Sequence, residues 1–330
     1  MWRVLQAGLA SLAFAAATAS CAQTGQAQSE QAGQEVVTHV GEWRDDARGR
    51  GVPYRMYLPS RAEPSPVVIF SHGLGGSRDA ARFLLEHLAA NGFVAVAIQH
   101  PGSDRALLTG EGRPLERLRE STRDPAPAIA RFGDVRFAID QLERENASGP
   151  LTGRFDLTRI GMSGHSYGAL TTLMSVGQRP ALGPADAFAD SRIGAAIVYS
   201  PNAPRNQDAD VALANVRTPI LHFTGTNDQT PLDPHLTPEA RLIPFRAING
   251  ADQFLLVFAG GEHGIYSGRQ QQTGDMTAVE RAQSEAILRE SLTFWRAYLL
   301  GDRDALAALC ALPARIAAIG AAEVKAERCG

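Results

Sequence analysis

Six short apolar runs, rich in β-branched residues, recur through the chain and are separated by stretches with helical periodicity. A continuous apolar run is typical of a strand that is covered on both faces, as in a parallel sheet. The predicted strands are Val67–Phe70, Phe93–Ile98, Ile160–Met162, Ile193–Tyr199, Pro219–Thr224 and Phe254–Phe258. The predicted helices are Arg78–Ala90, Ala128–Glu145, Ala169–Val176 and Ala278–Leu300. This alternation predicts an α/β fold with a doubly wound, mostly parallel sheet and helices on both faces.

Two segments of alternating polarity, Val36–Trp43 and Val52–Leu58, precede this region and predict an antiparallel hairpin at a sheet edge. The chain has 330 residues, of which 44% are hydrophobic and 20% charged, so residues 36–330 can form one α/β domain with a sizeable core. The net charge is −3 and the basic residues are scattered, so we expect no nucleic-acid partner. The oligomeric state is not predicted.

The first residues of the chain predict export. Arg3 precedes an apolar stretch, Val4–Ala19, that ends in small residues and is too short for a comfortable transmembrane span. We expect residues 1–20 to be a signal peptide and residues 21–35, rich in Gln, Gly and Ser, to be a flexible tether. The predicted location is the periplasm, the outer membrane as a lipoprotein, or the medium.

Two modes of processing fit this N-terminus. An A-x-A motif that ends at Ala19 fits ordinary cleavage, whereas the four residues that end at Cys21 are similar to a bacterial lipobox, which would lipidate Cys21 and tether the protein to a membrane. In that case Cys310 and Cys329 remain and could form a disulfide in an oxidising compartment. The alternative is a buried Cys310 on a helix and a free thiol at Cys329.

The strongest local motif is G-x-S-x-G at Gly164–Gly168, placed directly between a predicted strand and a predicted helix. The turn from strand to helix there is so tight that the central residue, Ser166, is strained, and the flanking glycines avoid collisions. The motif alone also arises by chance. Its position between strand and helix favours a role for Ser166 as a nucleophile.

A serine hydroxyl needs a base to accept its proton, and the base needs a third group to orient it. In folds with this turn, the chain order is serine, acid, histidine. His263 lies in a glycine-rich loop after the last predicted strand and is the predicted base. His235 is the alternative, although its position fits a surface turn or a pocket rim.

Asp228 is the predicted acid, because it follows the strand Pro219–Thr224, directly before the strand that leads to His263. Other carboxylates lie in the same part of the chain. These alternatives are Asp208, Asp210, Asp233 and Asp252.

Acyl transfer also needs donors for the negative oxygen of a tetrahedral intermediate. The glycine-rich loop Ser71–Gly76 follows a predicted strand, and the backbone amides of Leu74 and Tyr167 are the predicted oxyanion hole. The loop lacks the G-x-x-x-x-G-K-[ST] pattern of a phosphate-binding loop. Neither H-E-x-x-H nor C-x-x-C occurs, so we predict no metal site and no cofactor.

Two longer stretches, Pro101–Pro127 and Ser200–Thr218, do not fit the alternation of strands and helices. Both follow strands at the end where open α/β sheets bind ligands. We predict that they form walls of a substrate pocket, although a surface excursion without function is the alternative.

With these residues placed, the chain resembles, over about residues 36–300, bacterial α/β-hydrolases of the dienelactone-hydrolase-like group that is related to platelet-activating factor acetylhydrolases. The motifs that carry the resemblance are Phe70–Gly76, Gln99–Asp104, Gly164–Gly168 and Gly260–Gly264. The resemblance implies a Ser-His-Asp triad, the oxyanion pair named above, and esters with short or modest acyl groups.

The chain departs from that family pattern at two positions. Dienelactone hydrolases use cysteine as nucleophile, whereas this chain has Ser166. Acetylhydrolases of the platelet-activating factor type take their acid after an earlier strand, where this chain has Ser200–Asn202. The choice of Asp228 therefore rests on the general fold pattern.

The residues together predict a serine carboxylic-ester hydrolase that forms an acyl-enzyme on Ser166 and acts on a small-molecule, lipid or polymer ester. The same groups also serve a lipase, polyesterase, thioesterase, amidase or acyltransferase. A binding protein that keeps the fold without the chemistry is a more distant alternative.

Overall fold

The centre of the computed structural model is one mixed sheet of nine strands. This count refers to the residues that the structure describes: 2, 35–233, 236–315, 317, 320–327 and 329. In chain order the strands are β1 (Val36–Asp45), β2 (Arg50–Pro59), β3 (Ser65–Ser71), β4 (Val94–Ile98), β5 (Phe155–His165), β6 (Ile193–Tyr199), β7 (Ile220–Asn227), β8 (Gln253–Glu262) and β9 (Ala321–Glu327). The predicted signal peptide and His235 lie outside the described residues, apart from residue 2, and so does the predicted tether, apart from residue 35.

Across the sheet the strands follow the order β1-β2-β4-β3-β5-β6-β7-β8-β9. The six strands from β4 to β8 in this order are parallel to one another. β1, β2 and β9 pair with their neighbours in antiparallel fashion. The prediction of a mostly parallel sheet with an antiparallel hairpin at its edge is therefore confirmed.

Helices connect the strands and cover both faces of the sheet. They are α1 (Arg82–Ala90), α2 (Pro114–Ser121), α3 (Ala126–Ala147), α4 (Tyr167–Ser175), α5 (Ala209–Leu213), α6 (Ile243–Ala247), α7 (Arg269–Thr273), α8 (Ala278–Leu300) and α9 (Arg303–Cys310). Short 3-10 turns occupy Arg105–Leu108, Ala240–Leu242, His263–Ser267 and Leu312–Arg315. No helix in the described part of the chain is long and apolar enough to span a membrane.

The apolar core is divided by the sheet into two layers. Side chains of α1, α8 and α9 pack on one face, and those of α3, α4 and α5 pack on the other. The run Val67–Phe70 within β3 is apolar throughout because Val68 and Phe70 face the first layer while Val67 and Ile69 face the second. Each such side chain contributes about 1.5–3 kcal/mol by burial.

Local signals explain where the helices begin and end. The last long helix, α8, starts after Thr277, whose hydroxyl accepts a hydrogen bond from the amide of Glu280 while the Glu280 carboxylate accepts one from the amide of Thr277. The helix ends at Gly301, which has φ of 68°. The helix predicted from Arg78 starts only at Arg82, because Ala81 has φ of 54° and breaks the helical path.

The structure corrects the sequence prediction at three places. The stretch Pro101–Pro127 contains α2 and the start of α3, and Ser200–Thr218 contains α5, so neither is an irregular loop throughout. The sequence also did not predict β9, and it offered a helix at Cys310, where α9 ends, only as one of two alternatives. The strand β9 is rich in alanine and charge, and it forms because it pairs with the edge strand β8.

A disulfide joins Cys310, at the end of α9, to Cys329, which follows β9. This is the paired alternative of the two left open by the sequence. The two cysteines are 19 residues apart. The crosslink therefore restricts the unfolded chain and holds the C-terminal strand close to the last helix.

Replacing both Cys310 and Cys329 by serine should lower the free energy of unfolding by about 3 kcal/mol, because the unfolded chain regains the freedom of the closed loop. Urea unfolding of the single Cys21→Ser protein and of the triple variant would measure this difference without interference from the third cysteine. A reductant should destabilise the first protein and leave the second unchanged. Identical unfolding midpoints without reductant would contradict the prediction.

Candidate active site

The predicted functional residues follow four parallel strands at their carboxyl ends. Leu74 lies in the loop after β3, Ser166 directly follows β5, Asp228 directly follows β7, and His263 directly follows β8. The carboxyl ends of parallel strands meet at one edge of the sheet, which is where open α/β sheets bind ligands.

The turn between β5 and α4 places Ser166 in strained backbone geometry, with φ of 57° and ψ of −111°. Its amide donates a hydrogen bond of 2.8 Å to the carbonyl oxygen of Tyr199, which anchors the turn to β6. A Cβ atom on Gly168 would overlap the carbonyl oxygen of Ser71, and one on Gly164 would overlap the carbonyl oxygen of Gly168. Both glycines of the motif are therefore required by close backbone packing.

The structure brings together the side chains of Ser166, His263 and Asp228. His263 Nε2 lies 3.0 Å from Ser166 Oγ, and His263 Nδ1 lies 2.7 Å from Asp228 Oδ1. In the neutral imidazole that fits both contacts, Nδ1 donates to the carboxylate and Nε2 accepts from the hydroxyl. The side chain of His263 is 18% exposed and that of Asp228 is fully buried, so the imidazole faces solvent while the carboxylate does not.

The carboxylate of Asp228 is held in its ionised form. Thr224 Oγ1 donates a 2.7 Å hydrogen bond to Asp228 Oδ2, and Arg241 Nε lies 3.4 Å from Asp228 Oδ1. Burial raises the pKa of Asp228, but the hydrogen bond from His263 and the charge of Arg241 outweigh burial and lower this pKa to about 2. Asp228 is thus negatively charged at neutral pH.

Arg241 is a buried cation that the sequence did not single out. Its guanidinium donates to the carbonyl oxygens of Ser200 and Pro201 at 3.2 and 3.4 Å and to the side-chain oxygen of Asn202. These three residues follow β6, at the position where the family resemblance would place the acid. Arg241 therefore links the end of β6 to the carboxylate of Asp228, and no sequence motif marks this contact.

The amides of Leu74 and Tyr167 are free to bind an oxyanion. Neither donates a hydrogen bond within the described part of the chain. The loop approaches Ser166 closely, because a Cβ atom on Gly73 would lie 3.5 Å from the Cβ of Ser166. Tyr167 begins α4, so its amide has no partner within the helix.

A cavity of about 520 Å³ opens at Ser166 and contains both Leu74 and Tyr167 in its wall. Both stretches predicted as pocket walls contribute to it. Leu232 and Leu236 also line it, and they lie close in sequence to His235, for which a pocket rim was one of the two predicted positions. Leu170 and Met174 also line it. They follow Ser166 at four-residue spacing, so an apolar stripe leads away from this serine along α4.

The other carboxylates that the sequence offered as the acid have different partners. Asp208 caps α5 through the amides of Asp210 and Val211. Asp233 pairs with Arg205 at 2.6 Å, and Asp252 accepts a 3.1 Å hydrogen bond from Tyr298. Within the described residues no cluster of three or more His, Cys, Asp or Glu could hold a metal ion.

The histidines next to the motifs act in local hydrogen bonding. His165 Nε2 donates to the carbonyl oxygen of His263 at 2.9 Å, and burial followed by the nearby His263 lowers the pKa of His165 to about 3. His165 is therefore neutral and supports the backbone of the predicted base.

A mostly parallel sheet, helices on both of its faces and a serine at the sharp turn between β5 and α4 define an α/β-hydrolase. Comparison with known proteins agrees with this class. Residues 27–110 match the family described as platelet-activating factor acetylhydrolase, isoform II. The chain thus has an α/β-hydrolase fold and is similar to the platelet-activating factor acetylhydrolases, as the sequence motifs indicated.

One curated relative is the platelet-activating factor acetylhydrolase of Bos taurus. It is 26% identical over 145 aligned residues, which cover 35% of this chain and 33% of the relative. The chain therefore spans about a third of the length of that relative. The family match includes the loop with Leu74 and ends before Ser166, Asp228 and His263.

The lowered pKa of Asp228 predicts a pH-dependent contribution to stability. A carboxyl whose pKa is lower in the folded protein stabilises it above the unfolded pKa of about 3.9, and this stabilisation is lost as pH falls toward 2. Wild type should therefore lose about 2 kcal/mol more than Asp228→Asn between pH 5 and pH 2. Urea unfolding at several pH values measures the free energy of unfolding of both proteins. An equal loss of stability in the two proteins would contradict the lowered pKa of Asp228.

Proposed function

We propose that this protein is a serine hydrolase that cleaves carboxylic esters through an acyl-enzyme on Ser166. The observation that carries the proposal is the hydrogen-bonded chain from Ser166 to His263 at 3.0 Å and from His263 to Asp228 at 2.7 Å. Ser166 lines a cavity whose wall also contains Leu74 and Tyr167, the two residues with free amides. Similarity to acetylhydrolases supports the same reaction class.

Acylation begins when Ser166 Oγ attacks the carbonyl carbon of the ester and His263 Nε2 accepts the hydroxyl proton. The carbonyl oxygen becomes negative and accepts hydrogen bonds from the amides of Leu74 and Tyr167. When the tetrahedral intermediate collapses, the C–O bond to the alcohol breaks and His263 returns the proton to the departing alcohol. The acyl group is then bonded to Ser166.

Deacylation repeats these steps with water as the nucleophile. His263 Nε2 accepts a proton from water, the resulting tetrahedral intermediate collapses, and the carboxylic acid leaves as Ser166 Oγ regains its proton. Asp228 stays ionised throughout, holds the imidazole in the required tautomer and stabilises the imidazolium. Its buried and hydrogen-bonded position fits this role.

The cavity favours an ester with an apolar group of modest size. Its volume of about 520 Å³ and the leucine and methionine side chains along α4 fit a short aliphatic or aromatic group next to the scissile bond. The family resemblance and the acetylhydrolase names point to the same class of acyl group.

Replacing Ser166 by alanine should lower kcat by about 10⁴-fold or more toward p-nitrophenyl esters, because the acyl-enzyme can no longer form. A series of p-nitrophenyl esters from acetate upward, measured on wild type and Ser166→Ala, tests this and defines the acyl preference. Ser148→Ala changes an exposed serine at the end of α3 and should behave as wild type. Hydrolysis that is insensitive to Ser166→Ala would overturn the proposal.

We further propose that the protein is exported and tethered through a lipid on Cys21. The apolar stretch and small residues before Cys21 support export, and a disulfide between Cys310 and Cys329 is typical of an oxidising compartment. In a bacterial host, wild type should then be found in the membrane fraction, and Cys21→Ser should move it to a soluble fraction.

Mass spectrometry of the mature protein gives an independent measurement of this processing. An acylated N-terminal Cys21 would support the tether, whereas a free N-terminus after Ala19 would show ordinary cleavage and exclude it.

A further inference from the structure

A second serine–histidine–aspartate chain lies in the protein interior. His100 Nε2 is 2.9 Å from Ser71 Oγ, and His100 Nδ1 is 3.0 Å from Asp134 Oδ2. All three side chains are fully buried, and Ser71 is the last residue of β3 rather than a residue of a sharp turn. Because no substrate can reach this hydroxyl, we expect this row of hydrogen bonds to stabilise the surrounding structure.

The hydroxyl of Ser71 also binds the guanidinium of Arg131, which is itself fully buried. Arg131 Nη2 donates to Ser71 Oγ and Nη1 donates to Ser103 Oγ, each at 3.0 Å. Arg131 also donates to the carbonyl oxygen of His72. On another side, its guanidinium carbon lies 4.6 Å from the ring centre of Tyr167.

The donors and acceptors of this network fit one arrangement of protons. Burial, followed by the charge of Arg131, lowers the pKa of His100 well below its ordinary value, so the imidazole is neutral. Its Nδ1 then donates to Asp134, and its Nε2 accepts from the serine hydroxyl, which leaves that oxygen free to accept from Arg131. Arg48 and Arg50 each lie 2.9 Å from the carboxylate of Asp134.

The position of Arg131 is costly for stability. Its hydrogen bonds go to hydroxyl and carbonyl oxygens, and within the described residues no carboxylate pairs with it. Burying a charge without an ion-pair partner lowers stability, and an apolar side chain at such a position is often more stable. A buried charge that breaks this rule points to a functional requirement rather than to folding.

The glycine-rich loop Ser71–Gly76, which contains the Leu74 amide, is held by the segment after β4. The amide of His100 donates to His72 Nε2 at 3.1 Å, and the amide of Gly75 donates to the carbonyl oxygen of Ser103 at 3.0 Å. This segment is the Gln99–Asp104 motif, which contributes no residue to the predicted triad. Arg131 thus contacts both Ser103 and the glycine-rich loop, and these two partners are also hydrogen-bonded to each other.

We propose that Arg131 is a positioning residue for the oxyanion hole, an inference that rests on the function proposed above. It binds the backbone beside Leu74 through the carbonyl of His72, and it packs on the ring of Tyr167. Arg131 thus joins the two segments whose amides form the hole. Oxyanion donors act only when they lie within about 2.7–3.1 Å of the developing charge, so a small displacement of either segment lowers kcat.

Arg131→Lys tests the role because lysine keeps the charge and cannot reach all the partners of a guanidinium at once. We expect kcat for p-nitrophenyl acetate to fall about 10-fold or more, with KM within about twofold of wild type. Affinity for phenylboronic acid, which forms a tetrahedral adduct on a reactive serine, should fall in proportion to kcat. Arg136→Lys, on the same helix and bonded to Ala189 instead, is the matched control and should match wild type.

Ser71→Ala is a smaller change that removes only the hydroxyl between His100 and Arg131. It should lower kcat and boronate affinity in the same direction, by about threefold or more. If Arg131→Lys does not fold, this variant decides the question. Folded variants with lower Tm but with kcat and boronate affinity within twofold of wild type would overturn the proposal and leave a purely structural role.

Labelling with a serine-reactive phosphonate separates this inference from the proposed function. Wild type should be labelled at Ser166. If folded wild type is not labelled there, the proposed function fails and the positioning role fails with it. If wild type is labelled and both variants keep wild-type kinetics, only the positioning role of Arg131 is wrong.

Discussion

The close packing of the glycine backbone after β5 against the end of β3 is the contact on which the candidate site depends. Gly168 lies so near the carbonyl of Ser71 that no side chain fits between them. This contact allows the sharp turn that strains Ser166, and it brings the loop with Leu74 beside this serine. Backbone strain of this kind costs about 1–3 kcal/mol, and it persists because both segments extend from strands that are buried on both faces.

Two buried arginines hold the loops that surround this contact. Arg241 binds carbonyl oxygens after β6 and lies against Asp228, whereas Arg131 binds the carbonyl of His72 and packs on Tyr167. A guanidinium suits both positions because its five donors are fixed in one plane and can satisfy several oxygens from different segments. Loops that carry unpaired carbonyl groups into the interior are thereby fixed without regular secondary structure.

The position of the predicted acid distinguishes this chain from the family pattern that it otherwise resembles. The end of β6 carries Asn202, which binds Arg241, and the carboxylate lies instead at the end of the neighbouring strand β7. Adjacent parallel strands lie about 4.8 Å apart, so a carboxylate at the end of either strand can reach the same imidazole. The structure places Asp228 in contact with His263 in this way.

The sequence by itself determined the parallel sheet, because apolar runs such as Val67–Phe70 must be covered on both faces, and it located the sharp turn at Ser166 by its flanking glycines. It left several carboxylates open as partners of His263, since strand ends converge only in three dimensions. Arg131 and Arg241 lie in segments without a motif, because their partners are distant along the chain and only tertiary packing brings them together. The pairing of β9 with β8 was likewise decided by tertiary structure, since an alanine-rich, charged segment has little preference of its own for a strand.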